Sequence, residues 1–182
     1  PADILPKLDF CEGVPASCET MVAIPSLLLN EEQVRGLVAD LEVRFLGNHD
    51  PHMHFALLTD LPDSHEFTGE DSPLVDLCAD LIRELNTRYA GQRMGMFFLF
   101  HRHRVYNSRE KVWMGWERKR GKLLDLNRLL RGEYDSFPVK VGDLRILSRI
   151  RFVITLDSDT ELPRASAQRM VGTLAHPLNA AI

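Results

Sequence analysis

Apolar positions along this chain fall into two kinds of pattern, and the two kinds alternate. Met21-Val22-Ala23-Ile24-Pro25 is a short continuous apolar run, the pattern of a strand buried on both faces. Asn30 then precedes Glu31 and Glu32, a cap followed by acids that a helix N-terminus favours, and Val34, Leu37, Val38, Leu41 and Phe45 recur at helical spacing. Gly36 inside that stripe costs about 1 kcal/mol relative to alanine. A second apolar run, Met53 to Thr59, stops at Asp60. Ser72-Pro73 opens the next helix, because serine can cap and proline tolerates the first helical position; Leu74, Leu77, Cys78, Leu81 and Leu85 continue it. Phe97 to Phe100 form a third strand, and a basic loop with Trp113 and Trp116 leads to a helix carrying Leu123, Leu126, Leu129 and Leu130. Phe152 to Leu156 form a strand ending at Asp157, and Pro163 starts a last helix. The first twenty residues, with Pro1, Pro6, Gly13 and Pro15, read as an irregular lead-in, leaving 21–182 as the folded unit.

Strand and helix thus alternate four times, the strands are continuously apolar, and the connections are long enough for crossovers. The expected fold is α/β: a doubly wound, Rossmann-like, mostly parallel sheet with helices on both faces. In such sheets ligands bind beyond the carboxyl ends of the strands, near the point where strand order reverses. Three polar clusters fall in that zone: Pro25-Ser26, Thr59-Asp60 and Asp157-Ser158-Asp159.

Composition narrows the class without choosing a function. The 182 residues are 45% hydrophobic and 26% charged, with a formal net charge of −4, which excludes disordered, collagen-like and disulfide-scaffold classes. A pI near 6.0 argues against general nucleic-acid binding. The longest apolar runs fall far short of the ~20 residues a membrane span needs, so no membrane contact is expected of this stretch itself. Cys11, Cys18 and Cys78 form no CxxC pair, giving a zinc or redox site little support and pointing to reduced thiols, with Cys78 on a core-facing helix. The chain opens at Pro1 rather than Met, and is expected to be an excised piece of a longer polypeptide.

Charge distribution sharpens the picture. From Asp60 to Leu85 eight acids face one base, whereas from Arg102 to Arg131 ten bases face three acids. Arg118-Lys119-Arg120-Gly121-Lys122 opens a helix; a glycine there would let a phosphate approach the backbone, and Lys122 would add a mobile positive charge. The bland alternative is a solvated basic face or an ionic contact with the acidic helix. Asp157 and Asp159, two residues apart on a turn, can face one point and suit a hard ion such as Mg2+ or Mn2+; the alternative is an acidic turn capping the next helix. His52 and His54, like His101 and His103, share a face if extended, but no spacing such as HExxH accompanies them. Trp113 and Trp116 offer either an aromatic shelf for a sugar or base, or core packing.

In this order, the pieces resemble a GT-A glycosyltransferase. Ile24-Pro25 with Asn30-Glu31-Glu32 resembles the first strand, loop and helix of processive family-2 enzymes; Thr59-Asp60 resembles their nucleoside-binding aspartate, Lys119 to Asn127 their GK…LN segment, and Asp157-Ser158-Asp159 their DxD motif. The chain is most similar to the cyclic β-1,2-glucan synthase family, through the stretches His54–Asp60, Phe97–Arg102, Val112–Lys122, Thr155–Arg164 and Gly172–Asn179. The resemblance implies inverting transfer of glucose from UDP-glucose to a growing β-1,2-glucan. Pro25, Asp60, Lys122, Asn127 and Asp157 would bind the nucleotide sugar, with Asp60 on the uridine and Lys122 on the nucleotide or its diphosphate. Asp157 and Asp159 would hold the Mg2+ or Mn2+ that bridges the diphosphate.

The same resemblance places the catalytic base and the acceptor-binding segments beyond Ile182. It therefore implies a donor-binding portion, truncated after the DxD strand and helix and inactive alone. Its parent would be a larger membrane protein at the cytoplasmic face of a bacterial inner membrane, with UDP-glucose as donor and glucan as acceptor. An uncovered edge on the last strand would favour self-association. Two alternatives stand beside this expectation: a non-catalytic nucleotide-binding or structural module, and a DxDxT phosphatase of the haloacid-dehalogenase type with Asp157 as nucleophile.

Overall fold

A computed structural model describes residues 5–67, 72–92 and 96–179; Pro1 of the lead-in and the acids Glu70 and Asp71 lie outside the described residues. The alternation read from the sequence is present as β1 (Thr20–Leu27), α1 (Glu31–Gly47), β2 (Met53–Asp60), α2 (Pro73–Tyr89) and β3 (Phe97–His101), followed later by α3 (Arg118–Leu130), β7 (Phe152–Thr155) and α4 (Ser166–Ala175). Asn30 caps α1 as expected, its Oδ1 accepting from Gln33 N at 2.9 Å. Ser72 precedes Pro73 at the start of α2 but makes no side-chain cap.

Three short strands break the simple pattern. The stretch expected to be a basic loop is a hairpin of β4 (Val105–Asn107) and β5 (Val112–Met114), and β6 (Val139–Val141) precedes a 3-10 helix at Leu144–Arg149. Three-residue strands are too short to show a period. The last helix begins at Ser166, not Pro163, because residues 158–162 are tied to α1. Arg44 and Asn48 donate to the carbonyls of Ser158, Thr160 and Leu162, and Ala165 enters α4 at φ +57°.

The main sheet has the order β6-β3-β2-β1-β7, with β6 antiparallel and the rest parallel, so strand order reverses between β1 and β7. This is a Rossmann-like arrangement. Side chains alternate across the sheet. Val22, Ile24, Phe55, Leu57, Phe97 and Leu99 join α1, α2 and α4 in one core; Met21, Ala23, Ala56, Leu58, Phe98 and Phe100 join Leu126 of α3 and Ile146 in the other. Each of these fully buried Val, Leu, Ile, Met or Phe side chains stabilises the fold by about 1.5–3 kcal/mol. The acidic α2 and basic α3 therefore lie on opposite faces and do not form the ionic contact considered above. Among the described residues β7 is an edge strand.

The lead-in is irregular but anchored. Leu8 N donates to Gly172 O of α4 at 3.0 Å, and Val14 N donates to the Asp50 carboxylate at 2.8 Å.

Candidate functional site

A cleft of about 660 Å³ opens where strand order reverses, walled by Pro25 and Ser26 of β1, Asp60 at the end of β2, Lys119 and Lys122 of α3, and Ser158 after β7. That volume is ordinary for a small-molecule site. The register puts Leu27 opposite Asp60, and Thr59 opposite His101, so Asp60 and Arg102 follow paired residues of neighbouring strands. Arg102 is buried and spends all five of its N–H groups. Nε and Nη2 grip Asp60 through both oxygens at 2.9 Å, Nη1 reaches Asp125 Oδ2 and Trp116 O at 3.0 Å, and Nη2 also reaches Arg118 O at 3.1 Å. Burial opposes the Arg102 charge, but Asp60 and Asp125 outweigh it and hold the guanidinium above its ordinary value.

Lys122 completes the cluster. Its Nζ donates to Ser26 O at 2.7 Å and pairs with Asp60 Oδ2 at 3.0 Å, with only 3% of the residue exposed. It is not the mobile charge the sequence suggested: the ammonium is locked between β1 and β2. Burial pulls its pKa down while Asp60 pushes the other way. Beside it His101, whose Nδ1 bonds Thr59 Oγ1 at 2.8 Å, is driven by burial to a pKa of about 4 and stays neutral.

The glycines of the Gly115–Gly121 segment serve close backbone packing, not phosphate approach. A Cβ on Gly121 would fall 1.9 Å from Trp116 O, and one on Gly115 would fall 2.6 Å from Asp60 Oδ2. Between them Glu117 and Arg118 adopt φ of +51° and +47°. Arg102, beneath, donates to the carbonyls of Trp116 and Arg118 in this left-handed turn.

The acidic turn reaches the cleft through Ser158. Arg44, a buried residue of α1, donates to Ser158 O at 2.6 Å and Thr160 O at 3.0 Å, and Thr160 N closes the turn onto Asp157 O at 3.0 Å. Asp157 and Asp159 are exposed, and Asp157 pairs with Lys119. Asp60, Lys122 and Ser158 of the acidic turn thus line one cleft, whereas the Asp157 and Asp159 side chains are not part of its wall and Asp157 meets it through Lys119. Asn127 does not line it: five residues past Lys122, it is rotated by about 140° around α3 and is exposed.

Among the described residues no three His, Cys, Asp or Glu side chains converge on a point. The donor set of Asp157 and Asp159 nevertheless suits a hard cation that takes its remaining ligands from water and phosphate oxygens, the usual habit of Mg2+. The histidines serve elsewhere: His54 Nε2 meets Glu19 at 2.9 Å while its Nδ1 accepts from Met96 N. Trp113 packs between Phe67 and Tyr106, whereas Trp116 is 41% exposed. Arg102 and Arg44 are the residues sequence reasoning missed. The signal for Arg102 was its place just past β3, in step with Asp60 just past β2.

Sheet order and cleft together define a Rossmann-like α/β protein with an open cleft at the switch point. No family model matches the chain. Cyclic β-(1,2)-glucan synthase NdvB of Rhizobium meliloti (strain 1021) is 42% identical to it over 172 residues, which is 94% of this chain and 6% of that protein. At this identity over nearly its whole length, the chain is the counterpart of one small segment of a cyclic β-(1,2)-glucan synthase. Among the described residues no helix is long and apolar enough to cross a membrane.

Proposed function

We propose that the chain is the donor-binding portion of an inverting glucosyltransferase that takes glucose from UDP-glucose to extend a β-1,2-glucan. The observation that carries this reading is the buried Asp60–Lys122–Arg102 cluster at the β1/β7 switch point, in a cleft whose wall also holds Ser158 of the acidic turn and Lys119, the partner of Asp157. A carboxylate offers about four lone-pair sites, of which Arg102 and Lys122 take three at Asp60. The remaining site on Oδ1 accepts the uracil N–H. Ser26 Oγ, buried in the cleft wall with no partner among the described residues, is a second polar group available to the nucleoside.

A divalent cation on Asp157 and Asp159 would neutralise charge on the departing diphosphate. Lys119 shares that task. Its exposed pair with Asp157 is worth at most about 1 kcal/mol, so the ammonium transfers to a phosphate at little cost. Lys122, fixed beneath by Asp60 and the Ser26 carbonyl, contributes positive potential to the cleft floor.

Calorimetric titration with UDP, with and without Mn2+, tests the reading on wild type and Asp157→Ala. Binding strengthened by Mn2+ in wild type, with the Mn2+ increment lost in the variant, is expected. UDP affinity indifferent to Mn2+ and to the substitution contradicts it.

A further inference from the structure

A second concavity, of about 510 Å³, lies on the other side of Arg118, between the β4–β5 hairpin and the start of α3. Arg118 lines both cavities. The chemistry of the two walls differs. The first carries Lys119 and Lys122 with Asp60 and Asp63 among mostly aliphatic residues; the second presents Tyr106 and Trp116, 51% and 41% exposed, together with Asn107, Ser108, Glu110 and Glu117.

We propose that this second cavity binds a neutral gluco-oligosaccharide, so that a glucan chain docks beside the donor cleft with Arg118 as the partition. The choice of glucose units rests on the proposed donor function; the choice of a sugar rests on the walls. The axial C–H faces of a hexose are apolar and pack on aromatic rings, whose faces are negative, while its hydroxyls donate to carboxylates and amides. Two carboxylates on the rim disfavour a phosphate and accept from hydroxyls.

The platform is held by several contacts. Tyr106 leans on Trp113 at 5.4 Å between ring centroids, and Trp113 on Phe67 at 4.6 Å. Trp113 is bonded to Ser64 through both backbone groups, at 2.9 and 2.7 Å. Arg128 covers the Trp116 ring at 5.9 Å, and Arg118 is held between Asp63 and Glu110. The left-handed backbone at Glu117 and Arg118, pinned from below by Arg102, fixes the spacing between the cavities.

Trp113 and Trp116 are the chain's two tryptophans, so their fluorescence reports occupancy directly. The full chain is titrated with β-1,2-linked glucotriose, alone and with saturating UDP, alongside Tyr106→Ala and Glu110→Gln, each checked for native circular dichroism. The expected result is a saturable response, weakened about ten-fold by Tyr106→Ala and measurably by Glu110→Gln, with UDP affinity within about two-fold of wild type in both. No saturable response up to the solubility of the trisaccharide, an unchanged response in natively folded Tyr106→Ala, or displacement of the trisaccharide by UDP overturns the inference. Failure of UDP alone to bind overturns the donor reading and leaves the sugar response as a separate result.

Discussion

Replacing Arg102 by alanine removes five hydrogen bonds at once and strands what they satisfied. Asp60 keeps only Lys122, and Asp125 keeps only the half-exposed Arg128 at 3.7 Å. The carbonyls of Trp116 and Arg118 each lose a donor. Breaking a buried ion pair from one side typically costs about 3–5 kcal/mol, because a carboxylate is left desolvated without its counter-charge. For a chain of this length that is a fall in melting temperature of about 6–20 °C, against a total stability of about 5–15 kcal/mol. Arg102→Lys is expected to fall between wild type and Arg102→Ala. It restores a charge, but a single ammonium on a shorter reach cannot span two carboxylates and two carbonyls. Urea unfolding followed by circular dichroism measures the difference. A loss below about 1 kcal/mol in Arg102→Ala would refute the argument, since the network would then be hydrated rather than buried.

Three further outcomes follow from neighbouring features. Gly121→Ala, which would drive a Cβ into Trp116 O, is expected to destabilise by about 1–3 kcal/mol, whereas Gly36→Ala, with nothing within 4 Å, should stabilise by about 0.5–1 kcal/mol; paired urea curves check both. His101 has a folded-state pKa of about 4 against an ordinary 6.5, so as pH falls the unfolded chain takes up the proton first. Its contribution to stability is complete above about pH 6.5 and is lost progressively towards pH 4, and the unfolding midpoint of His101→Gln should change less over that interval. Burial raises the Cys78 thiol to about 12, so a thiol reagent at neutral pH should label exposed Cys11 in the native chain and reach Cys78 only on unfolding, as mass spectrometry of digests would show.

What could be read in advance was set by periodicity. The four parallel strands and the helices between them carry long apolar runs, caps and stripes, and these decide both the layers and the end of the sheet where ligands bind. The acidic turn and Asp60 were visible because each directly follows such a run. The hairpin and β6 were not, because three residues carry no period and their pairing depends on partners distant in sequence. The roles of the charged residues were hidden for a different reason. Arg44, Arg102 and Lys122 look the same in a sequence as solvated surface charges, and only strand register reveals that each meets carbonyls or carboxylates in the interior. Gly121 was read as room for a phosphate; the structure fills that room with the carbonyl of Trp116.

The central claim is geometric: one sugar nucleotide spans the cleft from Asp60 to the Asp157–Asp159 turn. A crystal structure of the chain with UDP-glucose and Mn2+, with diffraction recorded at the manganese absorption edge, measures it directly. The account predicts an anomalous peak against the Asp157 and Asp159 carboxylates, with the uracil at Asp60 and Ser26. Nucleotide bound elsewhere on the molecule, or manganese away from that turn while the diphosphate occupies the cleft, would contradict it.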